Sequence, residues 1–138
     1  MQTDPEVRRS LLDLHAAYAF SIDSGDADAF ADCFTPDGVL ETTRPLVVTG
    51  RDELVAFAHD RARHAADPCR HLTWHHTFAG GPDQVEGRCS AAVLQTTSAG
   101  VQVLFTATYV DWFVQSGEKW RLLRRFVAMD LPGADVPD

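Results

Sequence analysis

Apolar residues recur near the start of the chain at 7, 11, 14, 18 and 22, with Leu12 and Ala19 widening the stripe. That spacing is helical, with one face turned to a core. Thr3 or Asp4 supplies an N-cap, and Pro5 and Glu6 suit a first turn. Ser24-Gly25 ends the helix and leaves Asp23 beside the apolar face of Leu11, Leu14, Tyr18 and Ile22. A short second helix is expected from Asp26 as cap through Phe34, with Phe30, Cys33 and Phe34 inward. Pro36-Asp37-Gly38 has turn chemistry, Val39 to Thr42 reads as a strand, and residues 43–49 as a turn and a short strand. A third helix follows Gly50, with Leu54, Phe57, Ala58 and Ala62 on one side, until Asp67-Pro68 closes it.

Helical spacing then gives way to long β-branched and aromatic runs at His71–Ala79, Gln84–Thr97, Val101–Gln115 and Glu118–Met129, separated by glycine-containing turns. These predict an antiparallel meander. The order α-α-β-β-α-β-β-β-β is an α+β layout: three helices from the N-terminal half against a curved antiparallel or mixed sheet, a cone-like barrel enclosing a pocket. The chain 1–138 reads as one domain, with 130–138 a loose tail. Strand alternation puts Tyr109 and Asp111 on the face of Phe105, Ala107 and Phe113, and Trp112 on the other. A buried Asp111 needs a cation, which Arg124 or Arg125 can provide. The second face (Val93, Thr106, Thr108, Val110, Trp112 and Val114) is apolar enough to predict a homodimer through the sheet.

Composition narrows the partners. Apolar residues make up 45% and charged residues 23%, an ordinary globular balance. The formal net charge of −8 argues against a nucleic-acid surface. No apolar run approaches the roughly 18 to 20 residues that span a bilayer, and the first residues lack a signal peptide's pattern. A cytoplasmic protein, away from membranes, is the expectation. Cys33, Cys69 and Cys89 show no C-x-x-C spacing, so neither a disulfide framework nor a zinc site is indicated.

The run H-L-T-W-H-H at 71–76 invites a metal reading. In an unbroken strand, His71 and His75 share a face about 13 Å apart and His76 points the other way, so no two grip one ion. No metal is expected. On this count His75 lines the pocket deeper than His71, Trp74 stands at its edge, and His15 lies toward the wet side of the first helix. A serine elbow, a phosphate loop, a dinucleotide fingerprint and H-E-x-x-H are all missing, so no cofactor is expected either.

The motifs Y-x4-D-x2-D-x3-F-x3-F-x-P-D-G (18–38), G-R-D-E-L-x2-F (50–57), R-H before a strand (70–71) and Y-x-D-W-F-V…W-R-L-L-R-R (109–125) occur in that order. Together they resemble the SnoaL-like branch of the nuclear transport factor 2-like superfamily, over most of the chain. Scytalone dehydratase, bile-acid dehydratase and polyketide cyclases belong to that group. The resemblance implies that Asp23 and His71 are catalytic and that Tyr18 is a hydrogen-bond donor. Trp74, His75, Tyr109, Asp111 and Phe126 become pocket-lining candidates. Where the bile-acid enzyme carries an arginine on its last strand, this chain is read as having Ala128, a departure that argues against a shared substrate. The implied activity is a cofactor-independent dehydratase, isomerase or cyclase. It would use general acid–base proton transfer on a small apolar oxygenated molecule that is polyketide-, aromatic- or steroid-like. Two other readings stay open: a non-catalytic ligand-binding or dimerisation module, and the small subunit of a ring-hydroxylating oxygenase.

Overall fold

The structure, a computed structural model, describes residues 2–133. Helix α1 spans Pro5–Ser24, capped by the Asp4 carboxylate, which accepts the Glu6 N–H at 2.8 Å. Gly25 ends it in the left-handed region at φ 78°, where a Cβ would be strained and would also meet Ala62. Asp26 caps α2 (Ala27–Asp32) by accepting the Ala29 N–H at 3.1 Å. Strands β1 (Phe34–Thr42) and β2 (Leu46–Thr49) precede α3 (Gly50–His64). Strands β3 (Cys69–Gly80), β4 (Gln84–Thr97), β5 (Gly100–Ser116) and β6 (Lys119–Met129) complete the chain. No described helix is long and apolar enough to cross a membrane.

The six strands form one curved sheet in the order β2-β1-β6-β5-β4-β3. Only β1–β6 is parallel, so the sheet is mixed within an α+β fold. Its inner face packs on the helices through Leu11, Phe30, Phe34, Leu54, Val85, Phe113 and Leu122, all buried.

Several elements depart from the expected boundaries or from regular register. The second helix stops at Asp32, and Phe34 already belongs to β1. Pro36-Asp37-Gly38 is a register shift inside that strand, not a turn before it. In β3 the ladder slips between Trp74 and Thr77, so that His75 and His76 together oppose Cys89. His75 takes φ 59° there, the one described non-glycine residue with positive φ. Between β4 and β5 a second slip occurs at Val93/Leu94. Val93, expected on the outer face, is fully buried. It opposes Phe105, and directly opposed residues share a face.

Residues 134–138, the end of the expected loose tail, lie outside the described residues. Asp130, at its start, is tied down. Its N–H donates to the Thr106 carbonyl at 2.9 Å, and its carboxylate accepts from Thr106 Oγ1 at 2.7 Å.

An added Cβ at Gly87 would lie 2.8 Å from Phe113 Cε2 and 3.0 Å from Phe78 Cδ1. Phe113 is fully buried and has little room to withdraw. Gly87→Ala is therefore expected to destabilise the fold by about 1–3 kcal/mol through overpacking. The urea midpoint measures this, and a midpoint equal to wild type would show that the rings yield freely.

Candidate active site

The last turn of α1 and the first residues of β3 bring together two groups that are 48 positions apart. His71 Nδ1 lies 2.6 Å from Asp23 Oδ1, and the His71 backbone N–H reaches Asp23 Oδ2 at 3.1 Å. A carboxylate only accepts, so Nδ1 carries the proton and donates it. Nε2 is left with its lone pair free, the tautomer of a general base. Both side chains are largely buried, at 10% and 8% exposure, which holds the pair in one geometry.

His71 lines an apolar cavity of about 320 Å³, at the small end of the range of roughly 300–1,000 Å³ for small-molecule sites. Tyr18, Leu40, Phe57, Phe105, Tyr109 and Val127 form much of its wall. Arg44 and Arg61 also line it, whereas no aspartate or glutamate does. Asp23 sits behind His71 and opens instead onto a second depression that His71 and Arg61 share. The carboxylate is thus placed to orient the imidazole without touching a molecule in the main cavity.

Other candidates fall elsewhere. Tyr18 and Tyr109 line the cavity, but Trp74, His75, Asp111 and Phe126 do not. The β3 bulge removes His75, which is exposed with Nδ1 beside Ser90 Oγ, whereas Trp74 lies before the bulge, alternates with His71 onto the other face and is 39% exposed. Phe126 opposes Val110 on the outer face, near the Arg124 guanidinium that also covers Trp112. Ala128 opposes Thr108 on that same outer face, while Arg125 is the last-strand arginine that enters the interior. Phe57 and Arg61 were missed as lining residues. Their spacing of four on a helix is the signal that places them on one face.

A family model described as a SnoaL-like domain matches residues 4–126. The chain belongs to the SnoaL-like domain family. Comparison with curated proteins finds no match. Among solved structures, it is similar to an Asp-to-Asn variant of a protein of unknown function from Mycobacterium tuberculosis. That pair shares 29% identity over 92% of this chain and 76% of the other, with a TM-score of 0.83. A nuclear transport factor 2-like protein with a cystatin-like fold from Novosphingobium aromaticivorans is 26% identical over 94% and 84%, with a TM-score of 0.85. Aln2 from a Streptomyces species is 24% identical over 94% and 95%, with a TM-score of 0.86. That last likeness speaks for the fold alone.

Beneath the cavity, this SnoaL-like domain holds a second polar cluster. Asp111 and Arg125 pair bidentately at 2.7 and 2.9 Å, both 1% exposed, as the expected need for a cation required. The rings of Tyr18 and Tyr109 flank the guanidinium, each centroid 4.3 Å from its carbon. Burial alone would lower the Arg125 pKa, but Asp111 outweighs it and the net direction is upward. Burial raises the Asp111 pKa on balance, against the opposing pull of Arg125. The two-point geometry is that of a carboxylate. Burial also raises both phenols, so they stay protonated and can donate.

His15 is 5% exposed, not on the wet side of α1. Its Nδ1 accepts from Arg125 Nη2 at 3.2 Å. The bulge turns His76 inward, its ring centroid 4.7 Å from that of His15. Ligand atoms of His15, His76 and Cys89 all lie within 4.8 Å of one another, a grouping that invites a metal. Two facts argue against one. A neutral imidazole has a single lone pair, and that of His15 is taken by Arg125. Burial also holds the Cys89 thiol up at about 12, far from thiolate.

Burial first, then the Arg125 and His76 charges, lower the His15 pKa from 6.5 to about 2. Between those values the unfolded state binds one more proton than the folded state. Stability supplied by a neutral His15 is therefore present above pH 6.5 and is lost as pH falls toward 2. His15→Gln keeps an acceptor for Arg125 and has nothing to titrate. Denaturant unfolding from about pH 6 to about pH 4.5 should show a wild-type slope steeper by up to about 1.4 kcal/mol per pH unit. Parallel slopes for the two proteins would mean that His15 already takes up its proton in the folded state.

Proposed function

We propose that this protein is a cofactor-independent dehydratase, isomerase or cyclase acting on a small apolar oxygenated molecule of the polyketide, aromatic or steroid-like kind. The observation that carries this reading is the 2.6 Å contact between Asp23 and His71 at the wall of an apolar cavity. His71 Nε2 takes a proton from the carbon next to a carbonyl. Asp23, a positioning residue, holds the ring and balances the imidazolium that forms. Tyr18 or Tyr109, kept neutral by burial, donates a hydrogen bond to the developing oxyanion. The imidazolium then returns the proton, to a different carbon in isomerisation or to a departing hydroxyl in dehydration. Acid–base help of this kind contributes about 10²–10⁴-fold.

The protein should catalyse hydrogen–deuterium exchange next to the carbonyl of enolisable aromatic ketones such as tetralone, followed by NMR. His71→Ala should slow exchange by about 10²–10⁴-fold. Asp23→Asn should lower kcat more than it raises KM, because Asp23 does not line the main cavity. Exchange untouched by both substitutions would leave a ligand-binding module in place of an enzyme.

We further propose that two copies pair through the sheet. Leu72, Trp74, Val101 and Val103 are 41%, 39%, 65% and 61% exposed. Leu94 opposes Val103, and Ala92 opposes both Leu72 and Thr106, which places these residues in one outer-face patch over β3, β4 and β5. Burying such a patch is favourable at roughly 25 cal/mol per Å². Light scattering should report twice the chain mass at micromolar concentration, and Trp74→Glu should shift the protein to monomer. A wild-type monomer under those conditions refutes the pairing.

A further inference from the structure

We infer that the molecule held in the apolar cavity carries a carboxylate, anchored at the mouth by Arg61 with Arg44 as a second, outer cation. This rests on the reading above only in taking the cavity as the ligand site. Four arginines are half-buried or buried: Arg61, Arg121, Arg124 and Arg125. Three have polar partners of their own: Arg121 donates to the Asp32 carbonyl, Arg124 pairs with Glu41, and Arg125 pairs with Asp111. Arg61 has no hydrogen bond or ion pair among the described residues, and the nearest acid in sequence, Asp60, is engaged by His64 at 3.2 Å.

Arg61 is half-buried and without a partner among the described residues, although this chain has 20 acidic residues that could have supplied one. Instead, the charged residues lining the cavity are two arginines and no acid, in a protein of net charge −8. Low-dielectric walls concentrate that local positive field on whatever enters. The planar fork of Arg61 matches a carboxylate in two-point contact, which a neutral hydroxyl or ketone does not exploit. Arg61 sits one turn after Phe57 on α3, and both line the cavity. Arg61 and His71 also share the second depression, so an acid group held by Arg61 keeps the rest of the ligand against His71. The substrate class becomes an apolar carboxylic acid with an enolisable carbonyl.

The test uses two fluorescent probes of one shape, anilinonaphthalene sulfonate and its uncharged parent phenylnaphthylamine, titrated into the whole protein. Wild type should prefer the anion. Arg61→Gln should weaken anion binding about tenfold while changing the neutral probe by less than about twofold, since a hydrogen bond to a charged group is at stake. Arg61→Lys should recover part of the loss, and the exposed Arg44→Gln should cost about two- to threefold. Naphthoic acid should displace the bound sulfonate, and naphthyl methanol should not. Equal weakening of both probes in Arg61→Gln, or no change in either, overturns the anchor. Repeating the titration in His71→Ala separates the two readings. An anion preference that survives there stands even if proton transfer fails, and its absence in wild type leaves the proton-transfer reading untouched.

Discussion

The buried pair of Asp111 and Arg125 sets the geometry of everything above it. The two residues face each other directly across β5 and β6. Their side chains meet under α1, where Arg125 also reaches His15 and lies against the ring of Tyr18. Two polar groups buried in an apolar interior tolerate little misalignment. Removing one partner from such a pair costs about 3–5 kcal/mol, while replacing both with packed apolar groups can be neutral. The pair therefore serves specificity more than net stability. By holding His15 and Tyr18 it fixes the rotation of α1, and Asp23 follows five residues later on that helix. The dyad at the cavity wall inherits its alignment from an ion pair that never touches the cavity.

That arrangement divides the interior electrostatically. Around Arg125 everything titratable except Asp111 is held neutral: His15 by a pKa lowered to about 2, Cys33 and Cys89 by thiols raised to about 11 and 12. Burial is the largest cause in each case. One cation and one anion remain there, and they cancel. Tyr18 stands between this region and the cavity, its ring near both Arg125 and His71. Burial around its hydroxyl outweighs the opposing pull of the Arg125 guanidinium and favours the neutral phenol, which is the form that donates to an oxyanion.

Much of this was legible before folding, and the failures have identifiable physical origins. The stripe at 7, 11, 14, 18 and 22 placed α1, its cap and Asp23, because a helix leaves its period in the sequence. His15 lies four residues after Leu11 and three before Tyr18, so the same period marks it as buried; polarity alone argued otherwise. In the strands, facing was counted by twos, and each bulge inverts the count beyond it. The β3 bulge exchanges His75 for His76; Trp74, just before it, is already outside by alternation with His71. The bulge carries no glycine to announce it: His75 itself takes the left-handed conformation. Val93 has a different cause: β4 alternates regularly, with Val85, Cys89, Ala91 and Val93 all buried, and the extra residue of the slip beyond Val93 falls on β5. Phe126, a pocket-lining candidate, opposes Val110 on the outer face, and the inward neighbour is charged Arg125, whose partner lies across the ladder. The need of Asp111 for a cation was legible, but which of Arg124 and Arg125 meets it is a property of two paired strands.

The fold is shared with relatives at 24–29% identity, so chemistry particular to this chain must lie in what differs around the cavity. There the charges are sorted by depth. Asp23 is kept behind the imidazole, where its charge supports His71 without repelling an anionic ligand. Asp111 is neutralised below by Arg125. Of the arginines, aspartates and glutamates, Arg44 and Arg61 alone line the cavity. Had Asp23 faced the cavity directly, the same carboxylate that sharpens His71 as a base would oppose the binding of an acid. Placing an imidazole between carboxylate and ligand resolves that conflict, and it accounts for a dyad, in preference to a lone aspartate, at this end of α1.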